Sequence, residues 1–248
     1  MTTSNQIATA NEHLYIHETI QISVRHRQKY LQHFLKWAPI SRKLYNMRLV
    51  GVWAVNGSTH DWPVAIVLWE LDGLPAFSKM LAGEYAHLQD PDAPVKDHYT
   101  LYWGEGAEGV VDTKGTDRLL APASYSPSLA QAVERKITGT GYLHETVKGP
   151  PGSIGPFLEK LGREWVPFAG RVGFKLVGAY RSMLLNDEEA IVIWAIPTWD
   201  DWARYEKALY SEAEAIAWRA DAARAGISWE GKLLNPAADS ALQTGKIV

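Results

Sequence analysis

The chain contains no cysteine among its 248 residues. Disulfides, thiolate metal sites and cysteine nucleophiles are therefore excluded. A strong charge of either sign is also missing, since 25 basic residues stand against 28 acidic ones for a net charge of −3. This balance gives no electrostatic argument for nucleic acid or an anionic membrane as a partner. The amino end is polar and no apolar run approaches transmembrane length, so we expect a soluble, cytoplasmic protein.

Aromatic residues are abundant, with 11 Trp and 11 Tyr. Large rings often fill the seams of a small packed structure. They also wall ligand pockets, which usually carry only a few polar groups. Both uses can occur in one molecule, so the composition alone does not choose between them.

Three segments of the first half return in the second half in the same order. The matched pairs are residues 14–20 with 141–147, residues 48–53 with 175–180, and residues 65–69 with 190–194. The first two pairs are shifted by 127 positions (15 to 142) and the third by 125 (65 to 190). Such a repeat indicates an internal duplication. We predict a first domain at 1–125, which includes a connecting arm, and a second at 126–248.

Each half has the order β-α-β-β-α-β, which is typical of a ferredoxin-like unit. The predicted strands are 14–25, 48–55, 64–71 and 98–103 in the first half, and 142–148, 175–184, 190–196 and 227–232 in the second. The predicted helices are 27–44, 77–85, 154–168 and 198–225. Pro39 and Pro167 should kink or end the first helix of each half. Residues 104–139 are rich in Gly, Ser, Pro and Thr, which predicts an arm on the surface between the halves.

The second strand of each unit carries a recognisable motif. It reads Gly-Phe-Lys-Leu-Val-Gly-Ala-Tyr at 173–180 and Met-Arg-Leu-Val-Gly-Val-Trp at 47–53. This motif resembles the NIPSNAP group of the dimeric α/β-barrel superfamily, and the resemblance covers residues 14–125 and 141–240. It implies an α+β fold in which two ferredoxin-like units pack sheet to sheet as a pseudo-dimeric barrel within one chain. It also implies a small-molecule pocket between each sheet and its own helices, but it carries over no catalytic residue.

The polar cluster Tyr-x-His-Glu-Thr lies on the first strand of both halves. Because strand side chains alternate, Tyr15 and His17 share one face and Glu18 takes the other. We expect Glu18 and Glu145 to face the helices, where burial would raise the carboxyl pKa and suit it to acid/base work. The alternative is a structural glutamate, for example one paired with a basic helix residue such as Arg42 or Arg163.

The remaining candidates are histidines, tyrosines and one further glutamate. His17 and His144 should point into the seam between the two sheets, either as catalytic groups or as neutral side chains bonded to Tyr or Thr. Tyr15 and Tyr142 are candidate proton donors. Glu70 is of interest because its counterpart in the second half is Ala195. The histidines at 60, 87 and 98 have no histidine counterpart and are read as surface residues.

We predict a small-molecule enzyme that acts on an apolar cyclic or aromatic substrate by acid/base chemistry, without an organic cofactor. An isomerase, lyase, cyclase or cofactor-free monooxygenase would fit, with Glu18, Glu145, His17, His144, Tyr15, Tyr142 and Glu70 as catalytic candidates. We predict no metal site, since the sequence contains no His-x-His pair. The alternatives are a non-catalytic NIPSNAP-like binding module and a haem-binding relative. Two such chains could form a homodimer.

Overall fold

A computed structural model describes residues 11–60, 62–85 and 111–247. Its strands are β1 Leu14–Ile22, β2 Arg48–Val55, β3 Val64–Leu71, β4 Val111–Pro122, β5 Gly141–Lys148, β6 Lys175–Ser182, β7 Glu189–Ile196 and β8 Ser228–Pro236. Its α-helices are α1 Arg27–Tyr45, α2 Gly73–Glu84, α3 Leu129–Glu134, α4 Ile154–Lys160, α5 Val166–Arg171, α6 Trp199–Ser211, α7 Ala213–Arg224 and α8 Ala241–Thr244. A 3-10 turn, Val24–His26, precedes α1.

The strands close into one antiparallel barrel in the order β1-β3-β2-β8-β5-β7-β6-β4. Two long strands join the halves. After pairing with β1, β4 continues beside β6 from Leu120 to Pro122, and β8 pairs first with β5 and then with β2 through Leu234 to Pro236. Residues 119–122 and 233–236 share the sequence Leu-Leu-x-Pro, and each of these segments is the place where its strand crosses to the other half. The predicted α+β fold, with both sheets joined as one barrel in a single chain, is confirmed.

The prediction for the connection between the halves is wrong in part. Residues 111–122 were expected on a surface arm, but they form β4, which is paired on both sides. Pairing with two neighbouring strands outweighs the poor strand propensity of a segment that contains Gly115 and two aspartates. The strand predicted at 98–103 lies outside the described residues. The domain boundary near residue 125 stays a prediction.

The two prolines act differently in the first helix of each half. Pro39 lies inside the continuous helix α1. In the second half a π-helical turn, Leu161–Trp165, separates α4 from α5, and Pro167 follows it at the start of α5. A wider turn accommodates a proline because it relieves the clash with the preceding turn. The long helix predicted at 198–225 is divided into α6 and α7 by the extended backbone of Glu212.

Three apolar clusters form the core. One lies between the second-half sheet and its helices, one occupies the corresponding place in the first half, and the third fills one part of the barrel lumen. Alternation along the strands produces this layering because successive side chains point outward to the helices and inward to the lumen. In the described ranges no helix is both long and apolar enough to cross a bilayer.

Candidate active site

Glu145 lies on β5, on the face that packs against the helices. The indole Nε1–H of Trp194, on the neighbouring strand β7, donates to Glu145 Oε2 at 2.7 Å. The side chain is 8% exposed. The carboxyl pKa is raised to about 7, first by burial and also by the charge of Glu206, against the opposing effect of the Trp194 hydrogen bond. Near neutral pH this group can therefore both accept and donate a proton.

A cavity of about 560 Å³ opens beside Glu145, between the second-half sheet and helices α6 and α7. This volume lies within the range of about 300 to 1,000 Å³ that is usual for ligand pockets. Besides Glu145, the wall includes Trp202, Tyr205, Tyr210, Trp229, Glu206 and Arg219. The cavity lies where the family resemblance implied one, and its wall combines aromatic rings with a small set of charged groups.

The strand register explains why there is room beside the carboxylate. Glu145 is opposite Gly231 on β8, whereas the equivalent Glu18 is opposite Asp117 on β4. A Cβ atom on Gly231 would meet only Leu143 Cδ1, at 3.3 Å, so the space here is otherwise open. The missing side chain therefore leaves the second-half carboxylate accessible from the cavity.

Stacked rings hold the cavity wall in place. Tyr205 stacks on Phe174 with ring centroids 4.1 Å apart and an interplanar angle of 16°. Trp165 stacks on Trp218 at 5.3 Å and meets Tyr205 edge to face at 6.3 Å. Burial and the neighbouring Glu145 both raise the pKa of the Tyr205 hydroxyl, so that it stays protonated. Rings fixed in this way give a bound ligand a rigid surface.

Glu18 repeats the Glu145 arrangement in the first half. Trp69 Nε1–H donates to Glu18 Oε1 at 2.7 Å, while Oε2 is buried without a partner among the described residues. Its pKa is raised to about 8, first by burial and then by the nearby Asp117 and Glu84, against the opposing effect of the Trp69 hydrogen bond. This side of the barrel is therefore acidic. Glu18 is predominantly protonated at neutral pH.

The alternative, in which these glutamates pair with Arg42 or Arg163, is not what the structure shows. Arg42 donates instead to the carbonyl oxygen of Ile247 at 2.6 Å, and Arg163 pairs with Glu164. Both candidate glutamates face the helices as predicted, but each accepts a hydrogen bond from a tryptophan. An indole N–H stabilises the carboxylate without the full charge that would drive its pKa down.

His17 and His144 meet in the barrel lumen, with their Nε2 atoms 2.8 Å apart. Their predicted orientation is correct, but each bonds to the other rather than to Tyr or Thr. Burial first, and then the charges of Arg118 and Lys232, lower the pKa of His17 to about 3; the pKa of His144 is lowered by burial and by the same neighbours. Both rings are neutral at pH 7, so one Nε2–H donates to the other ring. The sheet separates this pair from the two glutamates.

Glu70 and Tyr15 lie at one end of the lumen. Glu70 accepts from the Tyr15 hydroxyl at 2.7 Å, from the Leu129 backbone N–H at 2.6 Å and from Arg48 Nε at 3.0 Å. These bonds fasten the start of α3 over the barrel end. Such a satisfied buried ion pair favours a structural role.

Tyr142 is the counterpart of Tyr15 and accepts from Gln243 Nε2 at 2.9 Å, which holds α8 in place. His60 bonds to Glu230 at the other end of the barrel. The histidines at 87 and 98 lie outside the described residues. The structure thus keeps the seven predicted site residues in two compartments: two glutamates outside the barrel, and the other five inside it.

Sequence reasoning missed the partners of Glu145. Trp194 lies in the third repeated segment, and its counterpart Trp69 bonds to Glu18 in the same way. The recurrence of Trp with Glu in both halves was therefore a usable signal. Gly231 gave no such signal, because only the strand register shows that it faces Glu145.

Solved structures of other proteins share the fold over most of the chain. The alignment with a candidate monooxygenase from Lactobacillus acidophilus covers 91% of this chain and 94% of that protein's chain, with 11% identity and a TM-score of 0.58. An anthrone oxidase-like protein covers 93% and 94%, with 14% identity and a TM-score of 0.61. A NIPSNAP family protein from Agrobacterium tumefaciens aligns with 42% of this chain at 25% identity and a TM-score of 0.37. No family model matches, and no curated protein does.

These likenesses define the class of fold. The chain is a closed eight-stranded α/β barrel of the dimeric α/β-barrel type, and both of its halves are supplied by one polypeptide. The resemblance seen in the strand motif is thus confirmed at the level of the fold. Identities of 14% and below do not extend it to an activity.

Proposed function

We propose that the chain is a small-molecule enzyme in which Glu145 exchanges a proton with an apolar cyclic or aromatic substrate bound between the second-half sheet and helices α6 and α7. The observation that carries this proposal is a buried carboxyl group, with a pKa of about 7, on the wall of a 560 Å³ aromatic cavity. A base with a pKa close to the working pH transfers protons most efficiently.

The cavity wall supports the steps that such a reaction needs. The substrate ring would lie against Trp202 and Tyr210, where it loses its contact with water. Glu145 would take a proton from an acidic C–H or O–H, and the negative charge would develop on the substrate. Arg219, whose guanidinium carbon lies 4.6 Å from the Tyr210 ring centroid, brings positive charge to the same wall. That charge favours an enolate or phenolate over its neutral parent.

Three reaction branches share this first step. Returning the proton at another carbon gives an isomerase, and loss of a leaving group gives a lyase. Reaction of the anion with dioxygen gives a cofactor-free oxygenase. One structural neighbour is an anthrone oxidase-like protein, so anthrone is a suitable first probe: with one O₂ it yields anthraquinone and one water.

The decisive experiment compares wild type with Glu145→Gln, using exposed Glu159→Gln as the matched control. Oxygen uptake and anthraquinone absorbance report the oxygenase branch. Anaerobic exchange of the acidic substrate hydrogen with D₂O reports proton abstraction alone. We expect Glu145→Gln to lose on the order of 100-fold or more of either rate, in the range usual for a general base. Equal rates in wild type and Glu145→Gln would rule out the assignment.

The same assays and the cavity wall also bear on the two alternatives, a binding module and a haem-binding protein. Tryptophan quenching by anthrone with neither oxygen uptake nor exchange would favour the binding module. The haem reading lacks support in this cavity, because no histidine is found among the described residues of its wall. In the described ranges, no group of three His, Cys, Asp or Glu side chains is placed to hold a metal ion.

Location and assembly remain proposals as well. We propose a cytoplasmic protein that binds neither nucleic acid nor membrane, and in which two pseudo-dimeric chains form a homodimer. Cell fractionation tests the location. Sedimentation equilibrium tests the assembly, for which a mass near 28 kDa would argue against the dimer.

A further inference from the structure

A second cavity, of about 550 Å³, lies at the mouth of the barrel. Its wall includes Thr19, Thr146, Arg118, Lys148, Lys232 and Glu230. It differs in kind from the cavity beside Glu145, because hydroxyls and charged groups predominate over aromatic rings. A site with this wall selects a different class of ligand.

The strand register places this wall inside the lumen. Thr19 and Thr146 follow His17 and His144 by two residues, so each shares the inward face of its histidine. Arg118 is the register partner of His17, and Lys232 is the partner of His144. Each half of the duplication thus contributes a threonine and a cation.

The balance of charge in the cavity is positive. Among the residues that the structure describes, three cations line it against one carboxylate, that of Glu230, which bonds to His60. Arg118 also pairs with Glu189 through Nε at 2.6 Å and Nη2 at 3.2 Å, which occupies one edge of the guanidinium. Lys232 is only 8% exposed, so its charge lies deep in the protein.

The positive field also reaches the histidine pair. The charges of Arg118 and Lys232 both disfavour protonation of His17 and His144. Both Nδ1 atoms are buried without a partner among the described residues. An anion that hydrogen-bonds to Arg118 and Lys232 would stabilise the positive charge of this wall.

We infer that the barrel mouth binds a small anion bearing a carboxylate or phosphate group, held between Arg118 and Lys232 with the Thr19 and Thr146 hydroxyls as further donors. Guanidinium and ammonium groups together with hydroxyls are the donors that such anions prefer. The cavity shares Ser228, Trp229 and Lys232 with the Glu145 cavity, but the inference does not depend on the proposed reaction. Lys232 is on β8, the strand that borders both cavities. An anion at the barrel mouth would therefore contact the strand that also forms part of the Glu145 cavity wall.

Calorimetric titration at low ionic strength tests the site, with inorganic phosphate and glutarate as probes and sodium chloride at equal ionic strength as the reference. We expect one site per chain for at least one probe, and the probe that binds identifies the anion class. Lys232→Met should weaken binding at least tenfold, and Lys232→Arg should retain it. Lys175→Met, which alters an exposed lysine on β6, is the matched control and should bind as wild type does.

A second readout locates the anion and does not require a variant. With ¹⁵N-labelled histidine, saturation by the probe should shift the ring resonances of His17 and His144, since the anion offsets the two neighbouring cations. A Thr19→Val, Thr146→Val double variant keeps every charge and should weaken binding several-fold. The inference is overturned if neither probe binds above the chloride reference, if Lys232→Met binds as tightly as wild type, or if the two resonances do not move.

Discussion

Replacing Glu145 by glutamine should stabilise the protein at alkaline pH while it removes activity. Glutamine has nearly the same shape, and its side-chain oxygen can still accept the Trp194 Nε1–H. It carries no charge at any pH, so it avoids the desolvation that raises the carboxyl pKa. The variant therefore isolates the free energy of ionising one buried carboxyl group.

The size of the effect follows from the pKa. Burial raises it from 4.5 to about 7, so the folded protein holds this proton more strongly than the unfolded chain does. The associated stability is complete below pH 4.5 and is lost as the pH rises through 7, at about 1.4 kcal/mol per pH unit between the two values. Wild type should thus lose about 3 kcal/mol through this group by pH 8.5, and Glu145→Gln should not.

Urea denaturation followed by tryptophan fluorescence measures the difference. At pH 4.5 the two proteins should differ little, and at pH 8.5 the free energy of unfolding of Glu145→Gln should exceed that of wild type by about 2 to 3 kcal/mol. Exposed Glu159→Gln should show no such pH-dependent gain. A difference in the free energy of unfolding between wild type and Glu145→Gln that does not change with pH would refute the reasoning. It would mean that folding does not raise the pKa of the Glu145 carboxyl group.

Three further predictions concern the same half of the chain. Trp194→Phe removes the N–H donor of Glu145, so the acid limb of a pH–rate profile should move to higher pH and the free energy of unfolding should fall by about 1 to 3 kcal/mol. Gly231→Asp should fill the cavity and weaken binding of an aromatic ligand at least tenfold, measured by fluorescence titration, whereas Gly231→Ala should have a smaller effect. Leu184 and Leu185 are exposed at a hairpin tip with φ of 59° and 63°. Because Asn and Gly adopt positive φ more easily, changing the pair to Asn-Gly should raise the free energy of unfolding by about 1 to 2 kcal/mol in urea denaturation. Changing the pair to Ala-Ala should not raise it.

The sequence predicted the fold because a duplication repeats every local signal. Alternation along β1 was enough to place His17 in the lumen and Glu18 against the helices, and the same pattern on β5 placed His144 and Glu145. These predictions needed no knowledge of partner strands. A register slip of one residue would have reversed all four orientations, so their agreement reflects how strongly a buried face fixes a strand.

The partners of these residues could not be predicted in the same way. The His17–His144 contact joins residues 127 positions apart, and it exists only because the barrel closes. The strand at Val111–Pro122 was hidden because its pairing on both sides, rather than its composition, makes it a strand. Gly231 is the clearest case, since a glycine gives no chemical signal and its effect is the space that it leaves beside Glu145.

The two halves have kept the same carboxyl–indole pair but have changed what lies beside it. Glu18 faces Asp117 and has a pKa of about 8, whereas Glu145 faces Gly231 and has a pKa of about 7. At neutral pH the first is therefore mostly a neutral acid, while the second is divided between acid and base. Burial is the main cause of both raised pKa values, and the charge of Asp117 adds to the pKa of Glu18 where Gly231 adds none to that of Glu145. On the lumen face of the same two strands the symmetry is kept, because the cation Lys232 on β8 is equivalent to Arg118 on β4.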